Sequence, residues 1–312
     1  MGIRDLYLAS DYIDRSSSNI IKGILICLIV MGHNYVLSAT LPGLFDYLYT
    51  FHLFIFFILP FFYLQPSVTY NKTLKRTNKL LIYYLVAFTL LVSFHHFNND
   101  VTFSFSKTLL AFLKGGHKAV CSVTGFQYLW FLPAFIVAML VYDLYQIASH
   151  RWKIAFCAVA VLVFLFFVRF PYRPHWALIQ GIYFASVGLL SVILYNLVKD
   201  KINFRVILIV FIVLSALFFV PLIGKVVAPL MPFVAFVFLW ELVKAHKDKL
   251  YCFESLGKNS LLIYLLHPTI YQILVRIIPV KPMLPVGLIV LVLATIMLSA
   301  LLAEAINRAI KA

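Results

Sequence analysis

Apolar runs long enough to cross a bilayer recur along this chain, each closed by a short polar stretch. They fall at 19–38, 47–65, 79–97, 126–148, 153–169, 175–197, 204–223, 226–244, 259–278 and 283–307. A helix needs ~20 apolar residues to span the hydrocarbon, and within lipid its backbone must be satisfied internally. The pattern predicts an all-α polytopic membrane bundle of ten transmembrane helices in one membrane domain over 1–312. Residues 1–17 are polar and mixed in charge, and Ser16 to Asn19 offer N-cap candidates for the first helix. The longest polar interval, 98–125, contains the apolar TLLAFL, too short to span, so an amphipathic or re-entrant segment is predicted inside it.

Composition agrees with a membrane class. Hydrophobic residues make up 63%, charged residues 12%, and mean hydropathy is +0.99 over 312 residues, which excludes an ordinary soluble globular domain. The net charge of +15 is not the signature of a nucleic-acid binder, because the cations sit in short loops between apolar runs. Loop cations set topology beside anionic lipid. Placing the N terminus in the cytoplasm puts 18 of the 26 Lys and Arg residues on that side, so N-in and C-in is expected. The first apolar run is long enough to span and has no small-residue cleavage site, so it is expected to stay as the first helix rather than leave as a signal peptide. Cys27, Cys121, Cys157 and Cys252 are scattered singly, with neither a disulfide framework nor a metal-ligand spacing, and no metal site is expected.

The chemistry concentrates in the first run, where Lys22 and His33 are the strongly polar side chains. Eleven residues at ~100° each return both to nearly one helix face, ~16 Å apart along the axis. Ionisable groups inside a membrane helix are expensive to bury and point to function, although a snorkelling Lys and a His bonded to a neighbouring helix would fit the same spacing. By the charge count, Lys22 lies near the cytoplasmic entrance and His33 nearer the outer leaflet. His52 opens the second span at a comparable depth, either as an acid/base or acceptor-positioning group or as an interfacial cap. His267 stands halfway along the ninth span before Pro268, whose missing amide frees a carbonyl and favours a kink. It is a candidate oxyanion or substrate contact, or else a partner for that carbonyl. Trp130 belongs near an aromatic belt; Arg169, Arg173 and His175 form an outward basic cluster; Lys72, Lys75, Arg76 and Lys79 form an inward one. Asp143 and Glu241 read as ion-pair partners rather than catalytic acids.

Four stretches, in order, carry a resemblance to a known family. The Lys22–His33 spacing, FHLFIFFILPFFY (51–63), YLWFLPAFI (128–136) and SLLIYLLHPTIY (260–271) resemble the acyltransferase-3 family of integral membrane O-acyltransferases. That resemblance implies transfer of an acetyl group from cytoplasmic acetyl-CoA to a hydroxyl of a cell-surface carbohydrate or its lipid-linked precursor, in a bacterial inner membrane. It implies His33 as the base and Lys22 on the CoA side, with His52 and His267 as further catalytic candidates; Lys75 and Arg76 of the inward cluster are candidates for the CoA phosphates, although topology alone would account for that run. Trp130, Arg169 and Arg173 are acceptor-binding candidates by their position, although an aromatic belt would account for Trp130 and the outer headgroups for the two arginines. The family usually has Arg where this chain has Lys22; Lys keeps the charge but loses the bidentate fork. Many members also carry a C-terminal SGNH hydrolase-like domain, and this chain stops after the tenth apolar run, so transfer is expected at the membrane domain or on a partner protein. A transporter or flippase of an acylated saccharide, with Lys22 and His33 lining its path, and a non-catalytic partner in a polysaccharide synthesis complex are the rival readings.

Overall fold

The computed structural model describes residues 12–63, 68–99, 103–126, 128–170, 176–277 and 285–311. Among them the regular structure is helical, with no strand; Gly115 and Trp176 form an isolated bridge. It divides into two compact units. One is built from Tyr12–Leu59 and Val198–Ala312, and the other includes Pro60–Leu197.

The first unit starts with α1 (Arg15–Gly32), α2 (Tyr35–Thr40), α3 (Pro42–Tyr49) and α4 (His52–Ile58). The second holds α5 (Tyr70–Asn99), α6 (Phe105–Lys114), α7 (His117–Thr124), α8 (Phe131–Ile147), α9 (His150–Arg169) and α10 (Ala177–Val198). The first unit then resumes with α11 (Phe204–Phe218), α12 (Ile223–Val227), α13 (Met231–Leu250), α14 (Cys252–Lys258), α15 (Ser260–Ile277) and α16 (Pro285–Lys311). Eight spans among the described residues are long and apolar enough to cross a membrane. The predicted runs at 126–148 and 204–223 hold the shorter apolar helices α8 and α11. A polytopic helical membrane bundle is therefore the architecture. Helix α9 illustrates the lipid-facing pattern: Leu162, Leu165 and Phe166 are exposed on an apolar helix, the reverse of a water-facing surface.

Within 98–125 the structure places the short pair α6 and α7 rather than a span. Gly115 ends α6 at φ +59°, a left-handed conformation that a side chain resists, and a Cβ there would stand 2.8 Å from Pro133. Two predicted runs are broken. The first, 19–38, stops at Gly32 because the Asn34 side-chain oxygen takes the amides of Val36 and Leu37 (3.1 Å each) and starts α2. The second breaks at Thr50–Phe51, where Phe51 leaves helical geometry (φ −137°, ψ −35°) before α4 begins. Pro268, expected to favour a kink, is carried inside α15, which runs without interruption from Ser260 to Ile277.

The cap of α1 also lies earlier than predicted. Asp14 accepts from the Ser17 amide (3.0 Å) and the Ser17 hydroxyl (2.6 Å), while Ser17, Ser18 and Asn19 are buried inside the helix. Lys247 of α13 reaches the same carboxylate at 3.0 Å. Partial burial would raise the Asp14 pKa, but the two Ser17 bonds and the Lys247 ammonium outweigh it and hold it at about 2, against an ordinary 3.8. Because the folded-state value is depressed, the carboxylate's contribution is fully present above pH ~4 and is lost as pH falls from there towards 2. Asp14→Ala is expected to lower stability by ~1 kcal/mol at neutral pH. Melting of the detergent-solubilised protein at pH 6.5 and pH 2.5 checks this: the gap between wild type and variant should narrow in acid.

Helix α14 lies against the first half of α1. Ile20, Ile21, Leu25 and Ile26 of α1 are at most 1% exposed, and two glycines let the backbones meet. A Cβ on Gly23 would fall 2.0 Å from the Phe253 carbonyl oxygen, and one on Gly257 would fall 1.7 Å from that of Asn19. Without a hydrophobic drive between helices in lipid, such small-residue contacts are how membrane helices associate.

Candidate active site

The site is assembled in the first unit where α1 ends. His33 is the C-cap of α1 (φ −88°, ψ 1°), its amide closing the helix on the Ile29 carbonyl. Its ring meets that of His267, which α15 supplies from 234 residues further along the chain: Nδ1 of His33 lies 2.9 Å from Nε2 of His267, with the rings 17° from parallel. One helical turn beyond His267, the Tyr271 hydroxyl donates to the side-chain oxygen of Asn34 at 2.9 Å. Two successive residues of the α1–α2 turn are thus latched to two positions four apart on α15. That spacing puts both on one helix face.

The carbonyl partners set the proton positions. A carbonyl only accepts, so the 3.1 Å contact between His267 Nδ1 and the Ile263 carbonyl places a proton on Nδ1. In neutral His267 the Nε2 then carries a lone pair, which takes the proton of His33 Nδ1. His33 is left with its own lone pair on Nε2. The same rule applies to His52, whose Nδ1 is bonded to the Leu48 carbonyl across the break before α4, so its Nε2 is an acceptor. Tyr49 stands between the two imidazoles, its ring edge-on to His33 at 6.0 Å and to His52 at 4.8 Å. His52 and His267 are buried (0% and 1% exposed), whereas His33 keeps accessible surface.

This arrangement suits proton transfer. A group approaching His33 Nε2 meets a base whose opposite nitrogen is held by a second imidazole, which shares the positive charge that forms on protonation and keeps the ring oriented. His52 Nε2, fully buried, has no hydrogen-bond partner among the described residues, and neither has the Asn34 side-chain nitrogen. A buried lone pair and a buried N–H beside one base are costly unless something bonds them.

The other predicted residues are distributed as follows. Lys22 lies on α1, half-buried, with no hydrogen bond or ion pair among the described residues; its neighbour Gly23 is the contact with α14. Lys75 and Arg76 are on α5 in the other unit. Lys75 is exposed, and Arg76 is bound to Asp143 of α8, whose carboxylate also takes the Thr73 hydroxyl at 2.5 Å. Asp143 is accordingly an ion-pair partner, and so is Glu241, 2.7 Å from Lys244. Trp130 precedes α8 and stacks on Phe184 at 5.9 Å. Arg169 ends α9, exposed, over the Phe170 ring. Arg173 and His175 lie outside the described residues. The structure therefore brings His33, His52 and His267 together and leaves Lys75, Arg76, Trp130 and Arg169 in the second unit.

Sequence reasoning passed over Asn34, Tyr271 and Tyr49. The signal for Asn34 was present: Gly32–His33–Asn34 in mid-run is a helix stop followed by a favoured N-cap residue. Tyr271 had a weaker one, lying four residues after His267.

A family model described as an acyltransferase domain matches residues 15–304, across both units. No curated protein and no solved structure matches the chain.

Proposed function

We propose, from the premise that this chain belongs to the acyltransferase-3 family, that it is a membrane O-acyltransferase moving acetyl from cytoplasmic acetyl-CoA to a hydroxyl of a cell-surface carbohydrate or its lipid-linked precursor. The observation that carries the reading is the His33–His267 pair, an oriented base in the membrane span. His33 Nε2 takes the proton of the acceptor hydroxyl as its oxygen attacks the thioester carbonyl. The C–O bond forms, the carbonyl pair moves onto oxygen, and collapse of that oxyanion breaks the C–S bond. The leaving thiolate takes the proton back from His33, so the products are the ester and the free thiol.

The donor's charge agrees with the placement of Lys22. CoA carries several phosphates on a long flexible arm, and a cation ~16 Å along the helix from the base suits its anionic end. Lys22 has no carboxylate to neutralise it among the described residues, which leaves its charge for a ligand. The N-in orientation expected from the loop charges turns Lys22 to the cytoplasm, where acyl-CoA resides.

Purified protein given radiolabelled acetyl-CoA and a panel of glycans tests the reading. Transfer to glycan supports it; failure to consume acetyl-CoA while an acylated saccharide crosses proteoliposomes overturns it in favour of transport. Lys22→Ala is expected to raise the KM for acetyl-CoA ~10-fold with little change in kcat, and Lys22→Arg to restore it, because a cation near phosphate binds ground and transition state alike. A fall confined to kcat in Lys22→Ala counts against the assignment.

A further inference from the structure

We infer that the Asn34 carboxamide is the oxyanion donor of the transfer reaction, a role resting on the acyl-transfer reading above. Three observations carry it. First, the orientation of the amide is settled by its partners: the side-chain oxygen accepts from the Val36 amide (3.1 Å), the Leu37 amide (3.1 Å) and the Tyr271 hydroxyl (2.9 Å). Backbone amides only donate, so oxygen and nitrogen cannot be exchanged. Second, Asn34 is 1% exposed and its Nδ2 has no hydrogen-bond partner among the described residues. A buried N–H2 group without an acceptor destabilises the fold and persists where a ligand supplies the acceptor. Third, Asn34 directly follows His33, and the pair is held by the two latches to α15.

Acyl transfer needs both groups. As the hydroxyl oxygen bonds to the thioester carbon, negative charge grows on the carbonyl oxygen, and a donor fixed before the reaction stabilises that charge without reorganising. His267, considered for this role from the sequence, is arranged otherwise: its Nδ1 proton goes to Ile263 and its Nε2 faces His33. It acts through His33 as a positioning residue. His52 Nε2 offers only a lone pair in its neutral form, which suits receiving a proton or a hydroxyl and not an oxyanion. Of the three imidazoles and this amide, the Asn34 amide is the group with donor protons to offer.

The obvious variant, Asn34→Ala, also removes the cap of α2 and the Tyr271 bond, so its failure would say little. Asn34→Asp keeps the oxygen that makes those bonds and replaces only the NH2 group; Asn34→Ser keeps a capping oxygen without adding charge. Both are expected to lower kcat ~10²-fold or more in detergent-solubilised protein. The KM for acetyl-CoA and the Kd for CoA should stay within about twofold, because the interaction belongs to the transition state. Tyr271→Phe, which loosens the amide without removing it, is expected to fall between them and wild type. If both Asn34 variants melt like wild type and turn over within about threefold of it, Asn34 is not the donor. A loss appearing in KM, or in CoA binding, also overturns the role. Wild-type protein that consumes no acyl thioester at all instead removes the acyl-transfer reading itself.

Discussion

Replacing His33 by alanine is expected to reduce acyl transfer by ~10³-fold while CoA still binds. General-base catalysis by a positioned imidazole contributes ~10²–10⁴-fold, and here the loss should sit near the middle of that range, since water can enter the vacated space as a weak base. The second imidazole gives the experiment its discrimination. His267 holds Nδ1 of His33 at 2.9 Å and has its own Nδ1 on the Ile263 carbonyl, so under the proposed mechanism it would reach the acceptor proton only through His33. His267→Ala should therefore lower kcat ~10-fold to 10²-fold, and the double variant should be no slower than His33→Ala alone, because the two residues serve one proton. His267→Gln, whose amide can still accept from His33 Nδ1, should recover part of the loss. Single-turnover transfer of labelled acetyl from acetyl-CoA, with CoA binding measured alongside, reads all four proteins. Transfer persisting in His33→Ala at the wild-type rate removes His33 from the mechanism; additive losses in the double variant assign His267 a separate task.

Adding one methyl group at Gly257 is expected to destabilise the first unit by ~3 kcal/mol or more, the upper end of overpacking effects. The new Cβ would lie 1.7 Å from the Asn19 carbonyl oxygen and 2.9 Å from the Asn19 Cα, both backbone atoms inside α1. No rotamer change relieves such a contact, so α14 and α1 have to separate, and the face that buries Ile20 and Ile21 opens with them. Gly23→Ala makes the reciprocal clash, 2.0 Å from the Phe253 carbonyl oxygen. The two changes strain one interface, and the second should add less than the first. Thermal melting in a fixed detergent, followed by tryptophan fluorescence or aggregation, measures the effect. Gly32→Ala is the control, because a Cβ there would sit at ordinary contact distance, 3.5 Å from Tyr49. A Gly257→Ala protein that melts with wild type would mean that α1 and α14 do not approach this closely.

The separation of Lys22 and His33 shows what local sequence can and cannot convey. Their spacing was legible because helical geometry is periodic, and burial of ionisable groups in lipid is costly enough to mark both. The break at Asn34 was not inferred from the 19–38 run, because hydropathy averages over one polar residue while a cap acts at a single position. The same averaging hid the break at Thr50–Phe51, where the run stays apolar across a change in backbone angles.

What the sequence determined by itself is the membrane class, the succession of apolar helices and a non-spanning apolar segment within 98–125, and it marked three histidines as candidates. All of these follow from hydropathy, periodicity or the energetic penalty on a polar group in lipid, which are properties of a residue and its near neighbours. The tertiary structure decided the pairing of His33 with His267, the latch of Asn34 to Tyr271, the commitment of Arg76 to Asp143 and the glycine contact of α1 with α14. Each joins residues tens to hundreds of positions apart, and their closeness depends on how rigid helices pack against one another. It is that packing which gives His33 a defined tautomer and sets a buried amide beside it.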